Sequence, residues 1–223
     1  MCSYLIANWK LNDSEVFCHD WIYNFGKFSP LFGVTVVVCP SFPFVPLISG
    51  SNLVLCGAQD VSKYKNGPHT GQVSAQELSN LVKYCIVGHS EARREFMETI
   101  ENVRSKMENL FESGIVPILC FEDEDDLRFV SDLVGKCIVV FEPSENISDG
   151  GQYKEVNLDE LKNKGIAIKE KIGQTVPLLY GGSVCLENAR ALKDLKVFNG
   201  VLVGKASLDP SEFYQIGNIW QEE

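Results

Sequence analysis

Tyr84-Cys85-Ile86-Val87-Gly88-His89-Ser90-Glu91 passes from a short apolar run, through one glycine, to an imidazole, a hydroxyl and a carboxylate. The apolar run reads as a strand buried on both faces, because parallel strands covered by helices are near-continuously apolar rather than alternating. The polar residues after it read as a turn into a helix that carries Arg93. The same order recurs along the chain. Asn8-Trp9-Lys10 closes one apolar run, Phe141-Glu142-Pro143 a second and Tyr180-Gly181-Gly182-Ser183 a third. Each string sets a different chemical group just past a strand: a cation, an imidazole, a carboxylate and a glycine-rich cradle for an anion.

Working outward, the strand-like runs are Tyr4–Trp9, Val34–Cys39, Leu53–Gly57, Tyr84–Val87, Ile115–Cys120, Cys137–Phe141, Val176–Leu179 and Gly200–Val203. Amphipathic stretches lie between them. Glu98–Phe111 spaces Ile100, Val103, Met107, Leu110 and Phe111 along one face, with Gly114 as its stop, and Leu158–Ile172 repeats the pattern. About eight strand and helix units in a chain of 223 residues predict one domain over residues 1–223, a (β/α)8 barrel with its chemistry in the loops after the strands. An open doubly wound sheet is the competing fold, but no G-x-G-x-x-G opens the first helix.

The composition is that of an ordinary globular protein, 45% hydrophobic and 22% charged, without low-complexity tracts. A net charge of −10 argues against nucleic acid and against an anionic membrane as partner, while leaving room for a local cationic pocket. Trp9 and Lys10 interrupt any early apolar stretch, so no signal peptide is expected, and no run is long enough to span a bilayer. The cysteines, Cys2, Cys18, Cys39, Cys56, Cys85, Cys120, Cys137 and Cys185, are scattered without C-x-x-C spacing. They read as reduced, mostly buried thiols of a cytoplasmic protein. His19, His69 and His89 show no metal-ligand spacing, so no metal is expected.

Taken together, ANWKLN at 7–12, GAQDVSKYKNGPHTGQVSA at 57–75, VGHSEARR at 87–94, FEP at 141–143, YGGSV at 180–184 and GVLVGKASLDP at 200–210 resemble the triosephosphate isomerase family nearly end to end. The resemblance implies a TIM barrel that interconverts dihydroxyacetone phosphate and D-glyceraldehyde 3-phosphate through an enediol, in glycolysis and gluconeogenesis, with no cofactor. The general mechanism of that enzyme is a worked example of tuned acid–base chemistry. Carried over residue by residue, Glu142 is the base, His89 the neutral electrophile and Lys10 the cation that stabilises enediolate charge. Asn8 and Lys10 touch substrate, Ser90 and Glu91 support, and Glu91 pairs with Lys10. Gly181, Gly182, Ser183, Gly204, Lys205 and Ser148 surround the phosphate. The chemistry suits these types: moving a carbon-bound proton between adjacent carbons needs a carboxylate in a dry pocket and a donor at the developing oxyanion.

Taken singly, each residue has a plainer reading: Glu142 as a solvated strand-end acid, His89 as a hydrogen-bonded structural residue, Lys10 and Lys205 as surface lysines, the glycines as turns. The chain also departs from the family. Ser148 and Lys205 stand where glycines are usual, Ala92 replaces an arginine, the lid Pro143–Gly150 lacks a tryptophan-containing hinge, and only Glu124–Val134 remains for the fifth helix. These departures bear on lid closure and phosphate affinity more than on proton transfer. A catalytically impaired relative that binds a phosphorylated metabolite, or serves as an interaction protein, is the alternative. The loop Ala58–Gln72 resembles the family's intersubunit loop and implies a homodimer, possibly a tetramer.

Overall fold

The computed structural model describes residues 3–143 and 157–221. Eight parallel strands follow one another around a closed barrel: β1 (Ser3–Asn8), β2 (Val34–Cys39), β3 (Leu55–Ala58), β4 (Tyr84–Val87), β5 (Val116–Phe121), β6 (Ile138–Phe141), β7 (Leu178–Tyr180) and β8 (Gly200–Val203), with β8 returning to β1. Every neighbouring pair is parallel, so each connection must cross over, and helices make most of the crossings. They are α1 (Glu15–Phe25), α2 (Val45–Gly50), α3 (Ala75–Leu78), α4 (Ser90–Phe96), α5 (Ile100–Glu112), α6 (Glu124–Phe129), α7 (Leu158–Ile172), α8 (Leu186–Asp194) and α9 (Pro210–Ile219). The expected (β/α)8 barrel is the observed one.

The apolar runs lack alternation because both strand faces are buried, each against a different layer. Ile6, Val37, Cys39, Ile86, Ile118, Cys120, Val140, Leu179 and Leu202 fill the barrel interior. Their sequence neighbours Leu5, Ala7, Val38, Cys85, Val87, Leu119, Val139 and Leu178 face the helices. In that outer layer Trp9 is fully buried, and its ring meets Phe17 and Trp21 at 5.0 and 5.2 Å between centroids. Trp21 in turn donates its indole N–H to Ser207 O at 2.9 Å. The loop after β1 is thereby tied to the loop after β8, which fixes the distance between Lys10 and the glycines across the barrel mouth.

Element ends differ from expectation for local reasons. β7 starts at Leu178 rather than Val176, since Pro177 has no N–H to offer a neighbour and contributes only its carbonyl, to Val139 N at 2.9 Å. The helix expected from Glu98 starts at Ile100, with Thr99 as its N-cap, because Glu98 turns inward to Lys106. Glu124–Val134 is not one helix: α6 stops at Phe129, and a 3-10 turn covers Val134–Lys136. Its acidic first turn favours the start. Val130-Ser131-Asp132 are poor helix formers, and the Arg104 guanidinium takes up the carbonyl of Phe129 at 3.1 Å.

Candidate active site

A cleft of about 840 Å³ opens at the C-terminal ends of the strands. Its lining includes Asn8 and Lys10 from the first loop, His89 and Ser90 after β4, Glu142 after β6, Gly181, Gly182 and Ser183 after β7, and Gly204 and Lys205 after β8. Residues from Asn8 to Lys205 therefore share one mouth, because a parallel barrel sends every strand's C-terminus to the same end. Ser148 and the rest of the expected lid beyond Pro143 lie outside the described residues.

Lys10 sits in left-handed backbone, φ +55°, a conformation that disfavours any residue with a Cβ. Its peptide groups are held on both sides. Its N–H donates to Asn8 Oδ1 at 3.2 Å, and its carbonyl accepts from Gln59 Nε2 at 2.9 Å, the same amide reaching Cys39 O at 3.0 Å. Asn8 thus acts on the main chain of Lys10. Gln59 was missed from sequence, although it lies in the quoted run after β3, because nothing local connects it to Lys10. The Lys10 ammonium lies 2.6 Å from Glu91 Oε1, and both side chains keep about a third of their surface exposed, 36% and 34%. Partial burial alone would raise the Glu91 carboxyl, but the hydrogen bond and charge of Lys10 outweigh it and hold the group below the usual glutamate range.

His89 is the N-cap of α4, and its Nδ1 accepts the backbone N–H of Glu91 at 3.2 Å. The Glu91 carboxylate, 3.8 Å from the same nitrogen, is beyond hydrogen-bond reach. With Nδ1 accepting, Nε2 is the ring nitrogen free to donate, and His89 lines the cleft. That Nε2 stands 3.3 Å from Glu142 Oε1. Glu142 Oε2 accepts the N–H of Ser90 at 3.2 Å, so it is the backbone of Ser90 that meets Glu142. Glu142 itself is 1% exposed, a carboxylate withdrawn from bulk water yet facing two donors.

The glycines divide into two roles. Gly181 donates its N–H to Phe141 O at 2.9 Å, so that group is committed to the sheet. A Cβ on Gly181 would come within 2.5 Å of Val140 and 3.0 Å of the Glu142 Cγ, which makes Gly181 the space that Glu142 occupies. A Cβ on Gly182 would lie 2.2 Å from the Tyr180 hydroxyl. Gly204 opens a 3-10 turn, Lys205–Leu208, and its carbonyl accepts both the N–H and the hydroxyl of Ser207, at 2.9 and 2.6 Å. Lys205 is exposed at the cleft rim. Among the described residues no group of three or more His, Cys, Asp or Glu side chains is placed to hold a metal ion. No helix among them is long and apolar enough to cross a membrane.

The family profile described as triosephosphate isomerase matches residues 3–220. Among curated relatives, the triosephosphate isomerase of Alkalilimnicola ehrlichii is 32% identical, the alignment covering 94% of this chain and 95% of the relative. That of Thermus thermophilus is 32% identical over 96% of each. That of Mesomycoplasma hyopneumoniae is 31% identical over 97% of this chain and 98% of the relative.

Proposed function

The chain belongs to the triosephosphate isomerase family, and on that premise we propose that its cleft interconverts dihydroxyacetone phosphate and D-glyceraldehyde 3-phosphate by moving one proton between adjacent carbons. The observation that carries the reading is the buried carboxylate of Glu142 set 3.3 Å from His89 Nε2 in the cleft that also holds the Lys10 ammonium. Glu142 takes a proton from the carbon beside the carbonyl and returns it to the former carbonyl carbon. His89 donates its Nε2 proton to the substrate oxygen on which charge develops and takes up the proton of the neighbouring hydroxyl, so the O–H hydrogen crosses between the two oxygens as the C–H hydrogen crosses between the two carbons. The Glu142 carboxylate, 3.3 Å away, accepts the carbon proton. Lys10 stabilises the enediolate as a cation, worth most in a site screened from water. Glu91 and the clamp on the Lys10 backbone keep that ammonium on the cleft side.

The phosphate is assigned to the side of the cleft lined by Gly182, Ser183, Gly204 and Lys205, where small residues leave room for an anion to approach main-chain N–H groups. Gly181 belongs to the base's surroundings rather than to the phosphate donors, since its N–H is already bonded. The described cysteines are all free thiols, which suits a reducing compartment such as the cytoplasm. Two copies of the chain assemble as a homodimer in this reading, the loop from Ala58 to Gln72 of one covering the exposed Leu11, Phe96 and Met97 beside the site of the other. A coupled assay that follows formation of dihydroxyacetone phosphate from D-glyceraldehyde 3-phosphate tests the activity. Product formation no faster than without protein would refute it.

A further inference from the structure

We propose that Arg93 and Glu98 are positioning residues for His89, acting through the two peptide groups of Gly88. The proposal deepens the reading of His89 as electrophile and rests on it. Gly88 joins β4 to His89 and takes φ +71°, and a Cβ there would lie 2.8 Å from the carbonyl oxygen of Cys120. Only glycine fits the turn, and glycine brings no side chain to anchor it. Its main chain is anchored from outside instead. Arg93 Nε donates to Gly88 O at 2.8 Å, on the peptide plane that carries the His89 nitrogen. Glu98 Oε2 accepts the Gly88 N–H at 3.1 Å, on the plane before it.

Both anchors are themselves fixed, and neither lines the cleft. Arg93 pairs with Asp126 of α6 at 3.0 Å, with side chains 19% and 21% exposed. The Glu98 side chain is 5% exposed and pairs with Lys106 of α5, whose ammonium also meets Asp60 at 2.6 Å. Buried charges are expensive without partners, and Nε and Nη1 of Arg93 and both oxygens of Glu98 have theirs, while Arg93 Nη2 is left without one, so displacing either anchor costs bonds that hold it. The Nδ1 of His89 is set by the Glu91 N–H, but the position of the whole residue is set by Gly88. Loosening either anchor lets the Nε2–H drift from the line between Glu142 and the substrate oxygen.

The test compares Arg93→Lys, Glu98→Ala and Glu98→Gln in the full chain by steady-state kinetics, thermal unfolding and ¹⁵N NMR of the His89 ring. Lysine keeps the charge opposite Asp126 but cannot reproduce the Nε donor. Arg93→Lys and Glu98→Ala are expected to lower kcat by about 10- to 100-fold with KM changed less than about threefold, and to shift the His89 nitrogen signals. Glu98→Gln, which still offers a carbonyl to the Gly88 N–H while Asp60 pairs with Lys106, recovers most of that loss. The proposal is overturned if kcat in folded Arg93→Lys stays within about twofold of the parent, or if it falls while the His89 signals do not move. The nitrogen signals need no substrate. They decide the anchoring even if the parent chain shows no isomerase activity, an outcome that would instead refute the reading of the site.

Discussion

Lys10 shows how a single residue can be placed against its own preference. Left-handed backbone costs a residue with a Cβ about 1 kcal/mol, and here Asn8 and Gln59 hold both of its peptide groups in that conformation. Glu142 is placed by the opposite means, a vacancy: Gly181 supplies the room its side chain fills. Replacing Glu142 by Gln keeps the shape and removes the proton acceptor. Glu142→Gln is expected to fold with an unchanged Tm and to lose about 10²- to 10⁴-fold in kcat while its KM holds near that of the parent. Turnover close to the parent's would remove Glu142 from the role of base. Lys205 poses a smaller question of electrostatics. An exposed ammonium at the rim attracts a dianion through screened water, so Lys205→Gly is expected to raise KM by less than about tenfold and to weaken its salt dependence. A salt dependence identical to the parent's would leave Lys205 as a solvated side chain.

Among the elements, α4 ends in a strained position. It begins at the His89 cap and ends at Met97, whose φ of 52° and ψ of 38° are left-handed, a C-terminal position that favours glycine. Met97 is 84% exposed. The strained end is the point from which the chain turns to bring Glu98 inward, so α4 links His89 to Arg93 and Glu98 within a few residues. Met97→Gly is expected to stabilise the chain by about 1 kcal/mol, a Tm rise of about 2–4 °C read by thermal unfolding. A fall in Tm would show that the methionine side chain makes contacts worth more than the strain, as burial against a second copy would provide.

At the scale of the whole molecule, a net charge of −10 sets the background against which the cations of the cleft, Lys10 and Lys205, stand. The long loop after β3 is held by one contact of its own and two to α5: Tyr64 stacks on His69 at 3.6 Å between ring centroids, Lys63 Nζ donates to Asn102 at 3.0 Å, and Lys65 pairs with Glu112 at 2.6 Å. Leu11, Phe96 and Met97 are meanwhile left largely exposed, at 93%, 78% and 84%, close in sequence to Lys10 and His89. Light scattering coupled to size exclusion is expected to give the mass of a dimer or a larger even assembly, and dilution below the dissociation range to lower specific activity. A monomer with full activity at assay concentration would contradict the assembly.

What the sequence determined by itself is the number and order of the strands, their alternation with helices, and the strings that end them. Strands buried on two faces are uniformly apolar, amphipathic helices keep their period, and Gly88, Gly181 and Gly182 mark departures from strands; all of these are local signals that survive without coordinates. The pairing of Lys10 with Glu91 was legible too, but only through the resemblance of the two strings that carry them. Tertiary structure alone decided the rest. Gln59 holds Lys10 from 49 positions away, Arg104 takes the carbonyl that ends α6 from 25 positions away, and Gly181 yields space rather than a donor because its N–H is bound to Phe141. These facts depend on which side chains barrel closure brings within about 3 Å of one another. No periodicity or propensity along the chain encodes such a meeting, because the residues that take part lie on different strands and helices.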